Sequence, residues 1–244
     1  MSISKRQEQI LSILNERSFV TVKELSAITF TSESSIRRDL SYLQNNGFVK
    51  RTHDGVSSLE PMGNVASYYD RMHKNANGKR SIAQKAATFL KDGQNILLDS
   101  STTATFLLPH IAKFPNITIF TNNLSTALHA IELGINTHCL GGQAINGSVA
   151  LSGSETFTAL ENLFVDILFF SSQSLNGNGN ISDSTEEENY VRKMMLKASK
   201  TRVFLCDSEK FGKTSTYKLC NLNDVDYAVF DKPYLDLATD CKIL

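Results

Sequence analysis

A chain of 244 residues with 41 % hydrophobic and 20 % charged side chains is ordinary globular material, long enough for one large domain or a small one beside a medium one. Its 25 basic and 25 acidic residues cancel, which excludes a coating protein held to nucleic acid by bulk charge; any such role must come from local charge. No apolar run approaches the roughly 18–20 residues that span a bilayer. The opening MSISKRQEQI lacks the apolar core of a secretory signal, so a cytoplasmic protein without membrane contact is expected. Cys139, Cys206, Cys220 and Cys241 form no C-x-x-C pair and no metal-finger spacing. No metal or cofactor is expected, and Cys139 and Cys206, inside apolar runs, read as small buried hydrophobes.

Up to about residue 59 the periodicity is helical and short-range. Ile10, Leu11, Ile13 and Leu14 give the apolar stripe of a helix over residues 4–16. TVKE fits a capping box in which Thr21 and Glu24 satisfy each other's backbone, opening a brief second helix with Leu25 and Ile28 inward. TSES offers an N-cap at Thr31 or Ser32 for a third helix ending near Asn46, with Gly47 placed for a left-handed C-terminal residue. FVKRTH and VSSL then flank Asp54-Gly55, a two-residue hairpin signal. Three helices and a two-stranded wing make a winged helix-turn-helix.

In the third helix Ile36, Leu40 and Leu43 share one face. Helical residues step by about 100°, so Arg37 and Arg38 point away from the core, with Ser34 and Ser41 near Arg37. Such a face suits the major groove: arginine forks onto guanine or clamps phosphate, and hydroxyls contact either. Lys50, Arg51 and His53 on the wing are expected to reach the flanking backbone or minor groove. Between residues 34 and 53 four cations face Asp39 alone, a net of +3 inside a neutral chain. Asp39 reads as structural, orienting Arg38 or a neighbouring helix, because an acid repels phosphate.

Residues 5–56 resemble the DNA-binding domain of the DeoR family of bacterial transcriptional regulators. Its pattern V-S-x-x-T-I-R-R-D-L…L-x-x-x-G-x-x-x-R-x-H-G-G stands here as TSESSIRRDLSYLQNNGFVKRTHDG. Ser32, Ile36, Arg37, Arg38, Asp39, Leu40, Leu43, Gly47, Arg51, His53 and Gly55 match; Ser35 replaces threonine and Asp54 the first wing glycine. The expected contacts to operator DNA are Thr21, Ser32, Ser34, Ser35, Arg37, Arg38, Ser41, Lys50, Arg51 and His53.

Beyond a linker, the runs NILLD, ITIFTN, THCLGG, DILFFSS, RVFLCD and YAVFD alternate with helix-length segments. That pattern predicts a largely parallel sheet covered on both faces. Ligands bind such sheets outside the carboxyl ends of the strands, where this chain places DSSTT (99–103), TNN (121–123), GG (141–142), SSQS (171–174) and DSEKFGK (207–213). Ser100, Ser101, Thr102 and Thr103 after Asp99 surround a predicted helix N-terminus, which favours an anion, and Lys210 adds a point charge for phosphate. STEEEN (184–189) reads as the solvated start of a helix.

This half also resembles the DeoR-family sensor domain, whose fold is that of ribose-5-phosphate isomerase. The patterns D-S-G-[ST]-T, T-N, L-G-G, V-D-x-x-F and D-S-S-K-F-G appear as DSSTT, Thr121-Asn122, LGG, VDILFF and DSEKFG, with an upstream R-x7-K matched by Arg71 and Lys79. Ser101 replaces a glycine, FFSSQSLNGNG departs from the glycine-bearing pattern after its strand, and the arginine common after L-G-G is absent. The resemblance implies an α/β protein: a winged helix-turn-helix over 3–58, a linker over 59–75 and an isomerase-like, mostly parallel-sheet sensor over 76–234. Asp99, Ser100, Ser101, Thr102, Thr103, Thr121, Asn122, Gly141, Gly142 and Lys210 are its expected effector contacts. The implied partners are double-stranded operator DNA, a phosphorylated sugar and further copies in a homodimer or homotetramer, with repression as the expected role. The competing reading is a sugar-phosphate isomerase with an accessory DNA-binding domain, its acid-base groups drawn from Asp99, Asp166, Asp207 and Lys210.

Overall fold

The computed structural model describes residues 4–16, 19–46, 48–51, 55–58, 68–145, 148–235 and 237–244. The chain divides into two compact units, Met1–Ala66 and Ser67–Leu244.

The first unit holds α1 (Lys5–Glu16), β1 (Phe19–Thr21), α2 (Val22–Ile28), α3 (Glu33–Asn45), β2 (Val49–Arg51) and β3 (Gly55–Ser58). Its core is Ile10 and Leu14 of α1, Val22 and Leu25 of α2, and Ile36, Leu40 and Leu43 of α3, closed by Val20, Val49 and Val56. The Thr21–Glu24 capping box is present and starts α2. Ile28 is 37 % exposed, so Val22 and not Ile28 joins Leu25 inward. The wing has a third strand that the sequence did not signal: β3 lies between β1 and β2, antiparallel to both. Arg51 pairs with Val56 and Gly55 with Thr21, so Gly55 belongs to strand β3. Gly55 is needed because a Cβ there would lie 2.5 Å from the Val20 carbonyl oxygen and 2.8 Å from the Phe19 ring. Gly47, His53 and Asp54 lie outside the described residues.

The second unit runs α4 (Tyr68–His73), α5 (Ala76–Ala86), β4 (Asn95–Leu98), α6 (Thr102–Thr105), α7 (Leu108–Ile111), β5 (Thr118–Thr121), α8 (Leu124–Glu132) and β6 (Asn136–Cys139). It continues with β7 (Gln143–Ala144), β8 (Leu151–Ser152), α9 (Ser154–Glu161), β9 (Val165–Phe170), β10 (Ser174–Leu175), β11 (Asn180–Asp183), α10 (Glu186–Lys197), β12 (Ser199–Cys206), β13 (Tyr217–Asn221), β14 (Tyr227–Phe230) and β15 (Lys242–Ile243). Seven strands form one sheet in the order β15-β14-β12-β9-β4-β5-β6, every neighbouring pair parallel. Alternate residues feed opposite faces. Ile96, Leu98, Ile119, Ile167, Phe169 and Leu205 meet α5 to α8 on one side. Leu97, Leu168, Phe170, Phe204 and Phe230 meet α10 and the small antiparallel sheet β10-β11-β13 on the other. Burial on both faces is why these strands read as unbroken apolar runs.

From β4 the order runs to β5 and β6 one way and starts at β9 the other way, so the switch point lies between β4 and β9. The segment read as linker already contains α4 within the second unit, and β15 extends the sheet beyond residue 234. Cys206 is buried, but Cys139 is exposed because β6 ends the sheet.

Phe30, between α2 and α3, has φ +49° and is 96 % exposed. A bulky residue in the left-handed region is strained, and nothing packs on this ring in return. Phe30→Asn is expected to raise unfolding stability by about 0.5–1 kcal/mol, read as a higher urea midpoint for the first unit.

Candidate functional site

In α3 Arg37 and Arg38 lie about 100° and 200° round from the buried Ile36, off the core face, and both are exposed. Arg37 leans on Glu33 at 3.3 Å, a surface i,i+4 pair worth about 0.3–0.5 kcal/mol and easily exchanged for a phosphate or base edge. Arg38 donates to Ser35 Oγ at 3.4 Å, and Ser32 is linked to Ser34 and Ser35 at 3.1 Å. Asp39 turns inward: it accepts Arg6 Nε and Gln7 Nε2 of α1, and so fastens α3 to α1 instead of orienting Arg38. Arg51 of the wing donates to Ser41 Oγ at 3.0 Å, which donates to the Arg37 carbonyl at 2.8 Å, bracing β2 against the helix. Lys50 is exposed. The Thr21 hydroxyl is engaged in its cap, accepting Glu24 N–H at 3.2 Å and donating to the Glu24 carboxylate at 2.8 Å.

In the second unit the parallel strands deliver their carboxyl-end loops to one rim of the sheet. Asp99 spans the switch point: Oδ1 accepts Ser101 N–H at 3.1 Å and the Ser101 hydroxyl, and Oδ2 accepts Ser171 N–H at 3.2 Å and Arg192 Nε at 2.8 Å. Ser101 also caps α6 through Ala104 N–H at 3.2 Å. With φ −78° it needs no glycine. Asn123 ties the next loop in, capping α8 and donating to the Ser100 carbonyl at 3.1 Å. Asn122 donates to the Leu151 carbonyl at 2.8 Å. Gly142 (φ +110°) admits no side chain, since a Cβ would lie 2.4 Å from Thr156 Oγ1 and 2.5 Å from the Ser152 carbonyl oxygen. Thr156 in turn donates to the Gly141 carbonyl at 2.6 Å. Thr121 is buried. The candidate loop residues from Asp99 to Thr103 are all buried, and most of their polar atoms brace the rim itself.

Two groups of charges lie at this rim. Arg192, 3 % exposed, meets Asp99, Asp183 at 3.1 Å and Glu188 at 3.3 Å. Burial opposes its charge, but the three carboxylates outweigh it and raise its pKa; burial also holds the Asp183 carboxyl above its usual range despite Arg192. The second group is cationic. Lys79 Nζ donates to the carbonyls of Arg71 and Lys74, and Thr102 Oγ1 donates to the same Arg71 carbonyl at 3.4 Å. Lys210 donates to Ser171 Oγ at 2.8 Å and pairs with Asp207 at 3.2 Å. Burial, then repulsion from Lys210 and Arg71, lowers the Lys79 pKa to about 8. Thr103 Oγ1, Asn122 Oδ1 and Arg71 Nε are buried without a hydrogen-bond partner. Asp166, by contrast, accepts Asn95 N–H at 2.8 Å at the amino ends of β9 and β4, across the sheet from Asp99 and Asp207.

Residues 6–62 match the DeoR-like helix-turn-helix domain and residues 74–232 the DeoR C terminal sensor domain. The HTH-type transcriptional regulator GolR of Listeria innocua is 31 % identical over 228 residues, covering 93 % of this chain and 90 % of that one. The chain belongs to the DeoR family. The L-fucose operon activator of Haemophilus influenzae is 32 % identical, covering 95 % and 93 % of the two chains. The putative aga operon transcriptional repressor of Escherichia coli O157:H7 is 27 % identical, covering 94 % and 86 %. These DeoR relatives, matched over nearly their whole length, are regulators and not enzymes. A D-ribose-5-phosphate isomerase structure overlaps 55 % of this chain and 52 % of that one at TM-score 0.42 and 16 % identity, a partial likeness of fold and nothing more. Among the described residues no helix is long and apolar enough to cross a membrane.

Within this DeoR sensor, sequence reasoning passed over Arg192 and Asp183, and placed Ser171 and Asn123 at the rim without giving either a role. Arg192 was detectable from phase: on α10 it shares a face with Glu188 and Met195 and adjoins Val191, all buried. Glu188 thus belongs to the interior and not to the solvated helix start expected of STEEEN. Arg192→Met is expected to cost about 3–5 kcal/mol at pH 7 by leaving three carboxylates without their cation. The Asp183 carboxyl, already held above its usual range by burial, loses the cation that opposes that rise, so the deficit is largest at neutral pH and shrinks as pH falls. Urea unfolding at pH 7 and pH 5 measures both.

Proposed function

We propose that this DeoR-family regulator represses its operator until a phosphorylated sugar binds at the switch-point rim of the sensor. The observation that carries the reading is the cationic group Arg71, Lys79 and Lys210, held beside the Ser100–Thr103 loop with Lys79 depressed to about 8 by burial and by its cationic neighbours. Cations that repel one another while partly desolvated are stabilised by an anion between them. The first turn of α6 adds backbone N–H groups that have no intrahelical acceptor. Phosphate suits both, and the unpartnered Thr103 Oγ1 and Asn122 Oδ1 supply neutral polar contacts for sugar hydroxyls. Asp99, with both oxygens engaged internally, shapes the loop and leaves contact with the effector to its neighbours. On the DNA side Arg37, Arg38 and Lys50 meet the duplex, with Ser32, Ser34, Ser35, Ser41 and Arg51 supporting them. Effector control follows only from a different affinity for the operator-competent and operator-released arrangements.

Arg37→Ala is expected to weaken operator binding by about 1–3 kcal/mol, or roughly 5- to 150-fold, in a gel-shift titration at fixed salt, while nonspecific binding changes much less. Unchanged operator preference sinks the assignment of α3. Sugar-phosphate binding is expected to take up protons near pH 8, because the anion restores the Lys79 charge; affinity therefore falls as pH rises from about 7.5 to 9.5. Above pH 7 the phosphate is already a dianion, with its second pKa near 6, so the uptake belongs to the protein. Calorimetry of a sugar-phosphate panel in two buffers of different ionisation enthalpy reads it, and Lys79→Met removes it. Proton-neutral binding in the native chain rejects this site.

A further inference from the structure

Helix α8 carries apolar side chains on two different faces. Thr126, Ala127 and Ala130 are buried, whereas Leu124, Leu128 and Ile131 are 47 %, 61 % and 61 % exposed. At about 100° per residue the exposed stripe is centred roughly 120° round from the buried one, which makes it a flank of the helix and not its outward crown. The other flank is occupied: Thr126 hydrogen-bonds Thr105 of α6 at 2.8 Å, and His129 lines a cavity with Phe106 and Pro109. The stripe therefore faces away from α6, toward the β6 margin of the sheet.

That margin is an open edge. Among the described residues β6 pairs only with β5. Its sequence Asn136-Thr137-His138-Cys139 carries no lysine, acid or proline, the usual guards against edge-to-edge pairing. The opposite margin is guarded: β15 has two residues, one of them Lys242. An unguarded edge strand and an uncharged aliphatic flank thus coincide on one side of the sensor.

We infer that a second copy of this chain docks on the β6–α8 margin. A two-fold axis normal to the sheet sets β6 antiparallel to its counterpart and, because both helices then lie on the same sheet face, sets the two α8 flanks together. The stripe brings no like charges into contact with itself and offers a charged partner nothing. Its aliphatic side chains expose on the order of 300 Å², a large share of the roughly 800 Å² a side that a standard interface buries, and the strand edge adds to it. Choosing a second copy as occupant rests on the proposed operator binding, since paired half-sites need paired winged units; the measurement below does not.

Sedimentation of the full chain, without DNA or effector, tests the surface. The native chain is expected to be a dimer or larger at micromolar concentration, and Leu128→Asp combined with Ile131→Asp is expected to weaken association at least 100-fold with an unchanged circular dichroism spectrum. Leu235→Asp, at a side chain 91 % exposed after β14, leaves the mass unchanged. The backbone amides of Thr137 and Cys139, which alternate with those facing β5, are expected to exchange slowly in the native chain and fast in the double variant. A monomeric native chain, or a double variant of native mass, overturns the inference. An intact dimer indifferent to every sugar phosphate supports this surface and counts against the effector assignment instead.

Discussion

A guanidinium buried among three carboxylates sets the geometry of the sensor rim. Arg192 reaches from α10 to Asp99 after β4, to Asp183 at the end of β11 and to Glu188 on its own helix. Such a group is poor evidence for stability, because desolvation offsets most of the attraction. Its value is positional. Asp99 can hold Ser101 and Ser171 in place only while its charge is balanced, and those contacts fix the loop that opens α6 and the loop that receives Lys210. The cations gathered at the same rim are less fully matched, so the region combines a closed electrostatic knot with an open one.

The regular parts of this fold were legible because burial on both faces writes itself into sequence. Six of the seven strands of the large sheet appear as apolar runs, and the order in which small and hydroxylated residues follow them anticipates one shared rim. The missing elements are those whose existence depends on partners distant in sequence. β1 has three residues and is a strand only because β3 lies beside it. β15 has two and exists through β14. The sheet β10-β11-β13 grows from an asparagine- and glycine-rich stretch with no clear alternation. Gly55 was read as a turn residue, whereas its lack of a side chain serves the crossing by Val20.

At the candidate sites, local pattern located loops that meet at one rim but not the use of each atom. Four consecutive hydroxyls after Asp99 suggested direct ligand contact, yet Ser101 is consumed by its cap and by Asp99, and Thr102 by the Arg71 carbonyl. Hydroxyls serve loop geometry and ligands alike, and only coordinates tell the two apart. On α3, helical phase alone separated Arg37 and Arg38 from the core, while Asp39 required knowing that Arg6 and Gln7 lie opposite.

The hydroxyl contact between α6 and α8 has a companion: Tyr68 of α4 bonds the same Thr105 oxygen at 3.0 Å, so three helices share one chain of alcohols through Thr105 to Thr126. No formal charge travels along that chain. Its contacts are therefore indifferent to ionic strength, whereas arginine–phosphate contacts in general weaken steeply with added salt. Added salt therefore leaves the contact among α4, α6 and α8 in place while it screens the charged groups at the rim.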